Sequence, residues 1–100
     1  MLSVIGWLTL KPGKRDEVMR LAAAVLPITQ KEDGCLFYEF HPSALNPDLV
    51  IVIEGWASKA QHQAHQNAPH HVAFGDQVMP LAASGRFEKM EVSNVVSQRF

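Results

Sequence analysis

Apolar side chains stand on both alternating faces of the first segment, Leu2 to Leu10, which the period-2 pattern predicts as a strand. Leu2, Val4, Gly6, Leu8 and Leu10 share one face; Ser3, Ile5, Trp7 and Thr9 share the other. The turn Lys11-Pro12-Gly13-Lys14 closes it. From Arg15 to about Lys31 the period changes: Val18, Leu21, Ala22, Val25 and Leu26 form one helical stripe. Asp16 and Glu17 lie in its first turn, where the helix dipole favours negative charge. Pro27 removes a backbone donor and predicts a kink or early end, and Gly34 leads into the next strand. Cys35 to His41 reads as that strand, with Leu36, Tyr38 and Phe40 facing one way and Phe37, Glu39 and His41 the other. Turn residues Pro42 to Asp48 then join it to a third strand, Leu49 to Trp56.

The third strand is apolar on both sides, with Val50, Val52 and Trp56 opposed to Leu49, Ile51 and Ile53. Ser58 and Gln61 form a capping box for a short helix, Lys59 to about Gln66. Asn67 reads as the cap of a further helix with Pro69 near its start. That helix carries Val72, Phe74, Val78, Met79 and Leu81, bends or breaks at Pro80 and stops at Gly85. Arg86 to about Val96 reads as the fourth strand. The order β-α-β-β-α-α-β is the split βαβ plan of a ferredoxin-like α+β fold. That plan puts helices on one sheet face only. The apolar second face therefore calls for a second copy of the sheet, giving a homodimer, with a small-molecule pocket facing the sheet.

Composition narrows the function. The 100 residues fit one domain spanning 1–100, and 9 basic against 10 acidic side chains leave no field to attract nucleic acid or anionic lipid. A lone cysteine, Cys35, allows no intrachain disulfide. No stretch approaches the roughly 18 apolar residues of a membrane span, and no leader pattern is visible, so the expected location is cytoplasmic.

Candidate chemistry gathers near the third strand. Glu54 shares a face with Val50, Val52 and Trp56; it either pairs with a cation or backbone group, or meets a ligand directly. Four histidines fall at positions 62, 65, 70 and 71. His62 and His65 share a helix face, which raises a metal site, but the break at Asn67-Ala68-Pro69 separates the pairs, so no metal is expected. His65, ending a helix beside the third strand, is the candidate proton acceptor or orienting group. Tyr38 and Trp7 offer flat apolar surface with a polar tip for an aromatic ligand, or simply pack in the core. Cys35 reads as a packed small hydrophobe. No phosphate loop or dinucleotide fingerprint is present.

Several segments, in order, resemble the antibiotic biosynthesis monooxygenase family. They are Met1-Leu2-Ser3-Val4-Ile5 with Lys11-Pro12-Gly13-Lys14, and Lys31-Glu32-Asp33-Gly34-Cys35 with Tyr38. Ile53-Glu54-Gly55-Trp56-Ala57-Ser58 and His65-Gln66-Asn67-Ala68-Pro69-His70 follow, so the likeness runs from Met1 to about Phe74. It is closest to the family's small bacterial quinol monooxygenases. The resemblance implies a dimeric α/β barrel that oxidises a quinol or phenol with O2, using neither metal nor flavin as cofactor. It implies His65 and Glu54 as catalytic groups, with Trp56, Tyr38, Trp7 and Val52 around the substrate. The strand asparagines used by some oxygenating and by haem-degrading relatives are missing from strands one and three. Two alternatives share the fold: isomerisation of a small dicarbonyl signal, which needs basic pocket residues not visible in the pattern, and a non-catalytic ligand-binding stress protein.

Overall fold

A computed structural model describes residues 1–100. Its strands are β1 (Leu2–Leu10), β2 (Cys35–Pro42), β3 (Leu49–Trp56) and β4 (Ala82–Glu91). Its helices are α1 (Arg15–Thr29), α2 (Lys59–Gln66) and α3 (Pro69–Val78), with a 3₁₀ turn at Met79–Leu81. The strands form one sheet in the order β2-β3-β1-β4, every neighbouring pair antiparallel. Each helical connection therefore joins two parallel strands with one strand between them, which is the expected split βαβ arrangement. None of the helices is long and apolar enough to cross a membrane.

Residues paired directly across strands share a face, so the register lays the helix-facing side out in rows. One row runs Tyr38, Glu54, Val4, Lys89; the next runs Phe40, Val52, Gly6, Phe87. Gly6 leaves room in the second row for the Phe87 ring, which a Cβ there would push aside. Val18 and Ala22 of α1 and Phe74 and Val78 of α3 close over this side, joining Val50, Val52 and Trp56 in the core. The other side carries Ile5, Trp7, Leu49, Ile51 and Ile53, all only half-buried, as alternation predicted.

Four local expectations are corrected. β4 begins at Ala82 and ends at Glu91, not Arg86 to Val96. Pro80 follows the end of α3 at Val78, and the chain then pairs Ala82 with Leu10, so Gly85 lies inside a strand opposite Leu8 instead of stopping a helix. Asn67 does not cap α3. It terminates α2, its Nδ2 donating back to the Gln63 carbonyl at 3.1 Å, and Ala68 takes the cap position before Pro69. Pro27, by contrast, stands two residues before α1 ends at Thr29, close to the early end expected of it. Leu36 is exposed, because β2 shifts register between Cys35 and Phe37 and the extra residue turns Leu36 away from the core.

Candidate active site

The row Tyr38–Glu54–Val4–Lys89 is the floor of a cavity of about 290 Å³. Its roof comes from α2 and α3. Ser58 caps α2, its Oγ accepting the Gln61 backbone N–H at 3.2 Å, and His62 and His65 follow one turn apart, both buried. Phe74 and Val78 continue the roof from α3 at the spacing of one helix face. Val52, Phe40 and Leu8 make the inner wall apolar. Phe87 and Met79, 53% and 71% exposed, mark the open side.

The loop between α1 and β2 supplies the residue that organises the roof. Gly34 adopts a φ of 80°, and a Cβ there would strike the Gln61 side chain, so glycine lets α2 dock on this loop. Gln61 Nε2 also donates to Asp33 Oδ2 at 3.2 Å. Docking places Glu32 Oε2 2.7 Å from His65 Nδ1 and 3.0 Å from His70 Nε2. A carboxylate only accepts, so Nδ1 of His65 carries the proton of that bond. Nε2 of a neutral His65 is then a lone pair. It is buried without a hydrogen-bond partner, on a ring that is 1% exposed and lines the cavity. Tyr38, Trp56 and His71 pack around that ring at centroid distances of 5.1, 4.7 and 4.1 Å.

Glu54 is the second polar centre. Trp56 Nε1 donates to its Oε1 at 3.0 Å, and His62 Nε2 lies 3.7 Å from the same oxygen. Burial pushes the carboxyl pKa up, against the pull of the Trp56 hydrogen bond and of nearby His65 and Lys89. Burial, with Lys89 and His65 nearby, pushes His62 down. His71 is held at about 4 by burial first and His65 second. The Tyr38 hydroxyl is pushed strongly up by burial and by Glu54, so it stays protonated as a donor. Burial likewise raises the Cys35 thiol, which suits a packed residue over a nucleophile.

Of the six residues singled out in the sequence, His65, Glu54, Tyr38 and Val52 meet at the cavity. The two tryptophans do not line it. Trp56 is fully buried behind Glu54, so it positions that carboxyl and is not a ring contact. Trp7 is on the opposite sheet face, under the Arg86 guanidinium at 4.3 Å, so it is not a substrate contact of this cavity. The two candidate catalytic groups are not paired with each other: His65 is bonded to Glu32, and Glu54 accepts from Trp56. Three residues went unsuspected. Glu32 was hidden in a turn, and only the docking of α2 reveals it. Lys89 and Phe87 follow from alternation along β4 once its register is known, and Lys89 is the basic pocket residue that the pattern alone did not show.

The sequence profile described as "Antibiotic biosynthesis monooxygenase" matches residues 1–77. The chain is 32% identical over 88 residues to "Probable quinol monooxygenase YgiN" of Escherichia coli K12, covering 78% of this chain and 85% of that protein. It is 30% identical over 80 residues to "Putative monooxygenase Rv0793" of Mycobacterium tuberculosis, covering 80% and 78% of the two chains. A solved structure described as a "putative antibiotic biosynthesis monooxygenase" from Deinococcus radiodurans superimposes with a TM-score of 0.90 over 100% of both chains at 19% identity, a likeness of fold.

Proposed function

The chain belongs to the antibiotic biosynthesis monooxygenase family, and from that premise we propose that it oxidises a quinol or electron-rich phenol with O2 in the cavity beneath α2 and α3. The observation that carries this reading is His65. Its Nδ1 is tied to Glu32 on the side away from the cavity, which leaves the Nε2 lone pair, without a partner, on a cavity-lining ring. That is the arrangement of a general base held in one tautomer by a carboxylate.

A neutral quinol gives up an electron reluctantly, whereas its anion does so readily. His65 Nε2 takes the hydroxyl proton, and Lys89 beside the cavity favours the resulting negative charge. Tyr38, a donor, and the protonated form of Glu54 can each hold the second ring oxygen. Phe40, Phe74 and Val52 provide dry walls for a flat ring. The overall reaction closes without an outside reductant. One oxygen atom of O2 enters the ring, the other leaves as water, and the quinol supplies all the electrons as it becomes a hydroxyquinone. Glu32 is a positioning residue in this scheme.

The same reading takes the chain as a homodimer, since Ile5, Trp7, Ile51 and Ile53 make an outer sheet face that the chain's own helices do not cover. The test of function is O2 uptake with menadiol, corrected for autoxidation. Protein-dependent uptake that falls by about 10²–10⁴-fold in His65→Ala, the usual contribution of a positioned base, supports the proposal. Uptake equal to the blank, or unchanged in His65→Ala, overturns it.

A further inference from the structure

The helix break that separates the histidine pairs in sequence brings two of them together in space. His65 Nδ1, His70 Nε2 and a Glu32 carboxylate oxygen lie within 4.8 Å of one another. One oxygen, Oε2, already accepts from both rings, so the three ligating atoms converge on a common point. The frame is fixed beforehand. Glu32 is pinned by backbone bonds from its own N–H to Thr29 and from Cys35 N–H to its carbonyl. His65 is wedged in the core, and His70 follows Pro69 at the rigid start of α3. Access remains, because the Glu32 and His70 side chains are 17% and 22% exposed.

We propose that Glu32, His65 and His70 form a site for a borderline-soft divalent cation of the Zn2+ class, and that filling it turns His65 from a proton acceptor into a donor. Two imidazole nitrogens and one carboxylate oxygen suit such an ion, with water completing four-coordination. Bonds of about 2.1 Å set tetrahedral ligand atoms roughly 3.4 Å apart. The two present hydrogen bonds, 2.7 and 3.0 Å, need lengthen by less than about 1 Å to admit it. No proton has to leave the protein. The hydrogen displaced from His65 Nδ1 is matched by one on Nε2 of the same ring, and His70 moves its own from Nε2 to Nδ1.

This tautomer change couples the cation to the cavity. With the ion bound, Nε2 presents N–H where a lone pair stood, and it can no longer accept a quinol proton. The coupling rests on the proposed role of His65; the binding site does not.

Titration of the intact protein with Co2+ separates the two. The expected result is the intense ligand-field spectrum of four-coordinate Co2+, displaced by Zn2+. His70→Ala should weaken binding by at least about tenfold, the least that losing even an outer-shell partner of a metal costs. His70→Gln, which can still donate to Glu32 and so preserve the loop, should weaken it equally. A six-coordinate aquo spectrum throughout, or equal affinity in wild type and both variants, overturns the site. Zn2+ should abolish menadiol-dependent O2 uptake in wild type, while whatever turnover His70→Ala retains should be insensitive to Zn2+. A four-coordinate Co2+ spectrum together with Zn2+-insensitive turnover overturns the switch while the site stands. A protein without any turnover, by contrast, defeats the quinol reading and the switch with it and leaves the Co2+ spectrum to decide the site.

Discussion

Trp56 and Trp7 lie on opposite faces of one sheet, and their surroundings differ as the faces do. Trp56 is fully buried, its ring 4.7 Å from His65 and its N–H spent on Glu54. Trp7 is half-buried, opposite Ile51 on one side and beneath Arg86 on the other. The inner face concentrates chemistry, with Tyr38, Glu54 and Lys89 in one row among aliphatic neighbours. Its outer counterpart repeats Ile and Leu with charged residues only towards the edges, at Glu39, Arg86 and Glu88. An aromatic residue near a strand end is therefore no guide to a ligand. Which face it occupies, and whether its polar tip is already satisfied, decides its role.

The strongest blow to the inner face after His65 itself comes at Trp56. Truncation to Ala should cost about 3–5 kcal/mol of unfolding free energy, as for other fully buried large aromatics. Trp56→Phe keeps most of the volume but removes the donor to Glu54, and about 1–3 kcal/mol is expected for the acceptor left unpaired. Urea denaturation measures both. A loss from Trp56→Ala no greater than that from Trp7→Ala would erase the difference between the faces.

How far the sequence displayed this division varies by residue. Alternation along β1 and β3 assigned every side chain of those strands to its proper face, because antiparallel pairing leaves period 2 intact. The same logic failed at Leu36, where a bulge inserts one residue and no side chain announces it. Along β4 the mixed polarity marks neither face as the inner one, so Phe87 and Lys89, though inside the expected strand, are assigned to it only by the pairing with β1. His65 and Glu54 were legible as a basic group and a carboxyl near one strand end. Their pairing was not: each takes a different partner, and Glu32 reaches His65 only because Gly34 lets α2 settle on the α1–β2 loop. Long-range docking of that kind leaves no periodic trace in a chain.

The outer face is sharpened by Ile53→Lys. Ile53 pairs with Ile5 on one side and Glu39 on the other, so a lysine there has a carboxylate partner within its own sheet and the protomer stays folded. Against a second copy of the sheet the new charge must lose its water, at about 2–3 kcal/mol, which is roughly a hundredfold in dimer dissociation. Sedimentation at micromolar concentration should show a dimer for wild type and a shift to monomer for the variant, with the secondary structure retained. A wild-type monomer would mean that the outer face is covered by something other than a second copy.

The smallest effect is the most specific to the inner face, and it appears only as a dependence on pH. Burial raises the Glu54 carboxyl above its ordinary 4.5 in the folded chain, so the folded state holds that proton more tightly than the unfolded state does. Stability from this group is then full below about 4.5 and declines as pH rises through the raised value, where ionisation leaves a charge among Val4, Val52 and Trp56. Glu54→Gln cannot ionise, yet its amide oxygen can still accept from Trp56. Relative to the variant, wild type should thus lose melting temperature as pH rises from about 4.5 through the raised pKa, and the two should converge at the acid end. His62, whose pKa burial lowers, acts in the opposite sense: its contribution is present above about 6.5 and fades on acidification, identically in both proteins so long as its own pKa is unmoved. The difference between the two melting curves therefore isolates Glu54. A difference that stays flat with pH would mean that this carboxyl ionises as freely folded as unfolded, and that the inner face is wetter at Glu54 than its packing implies.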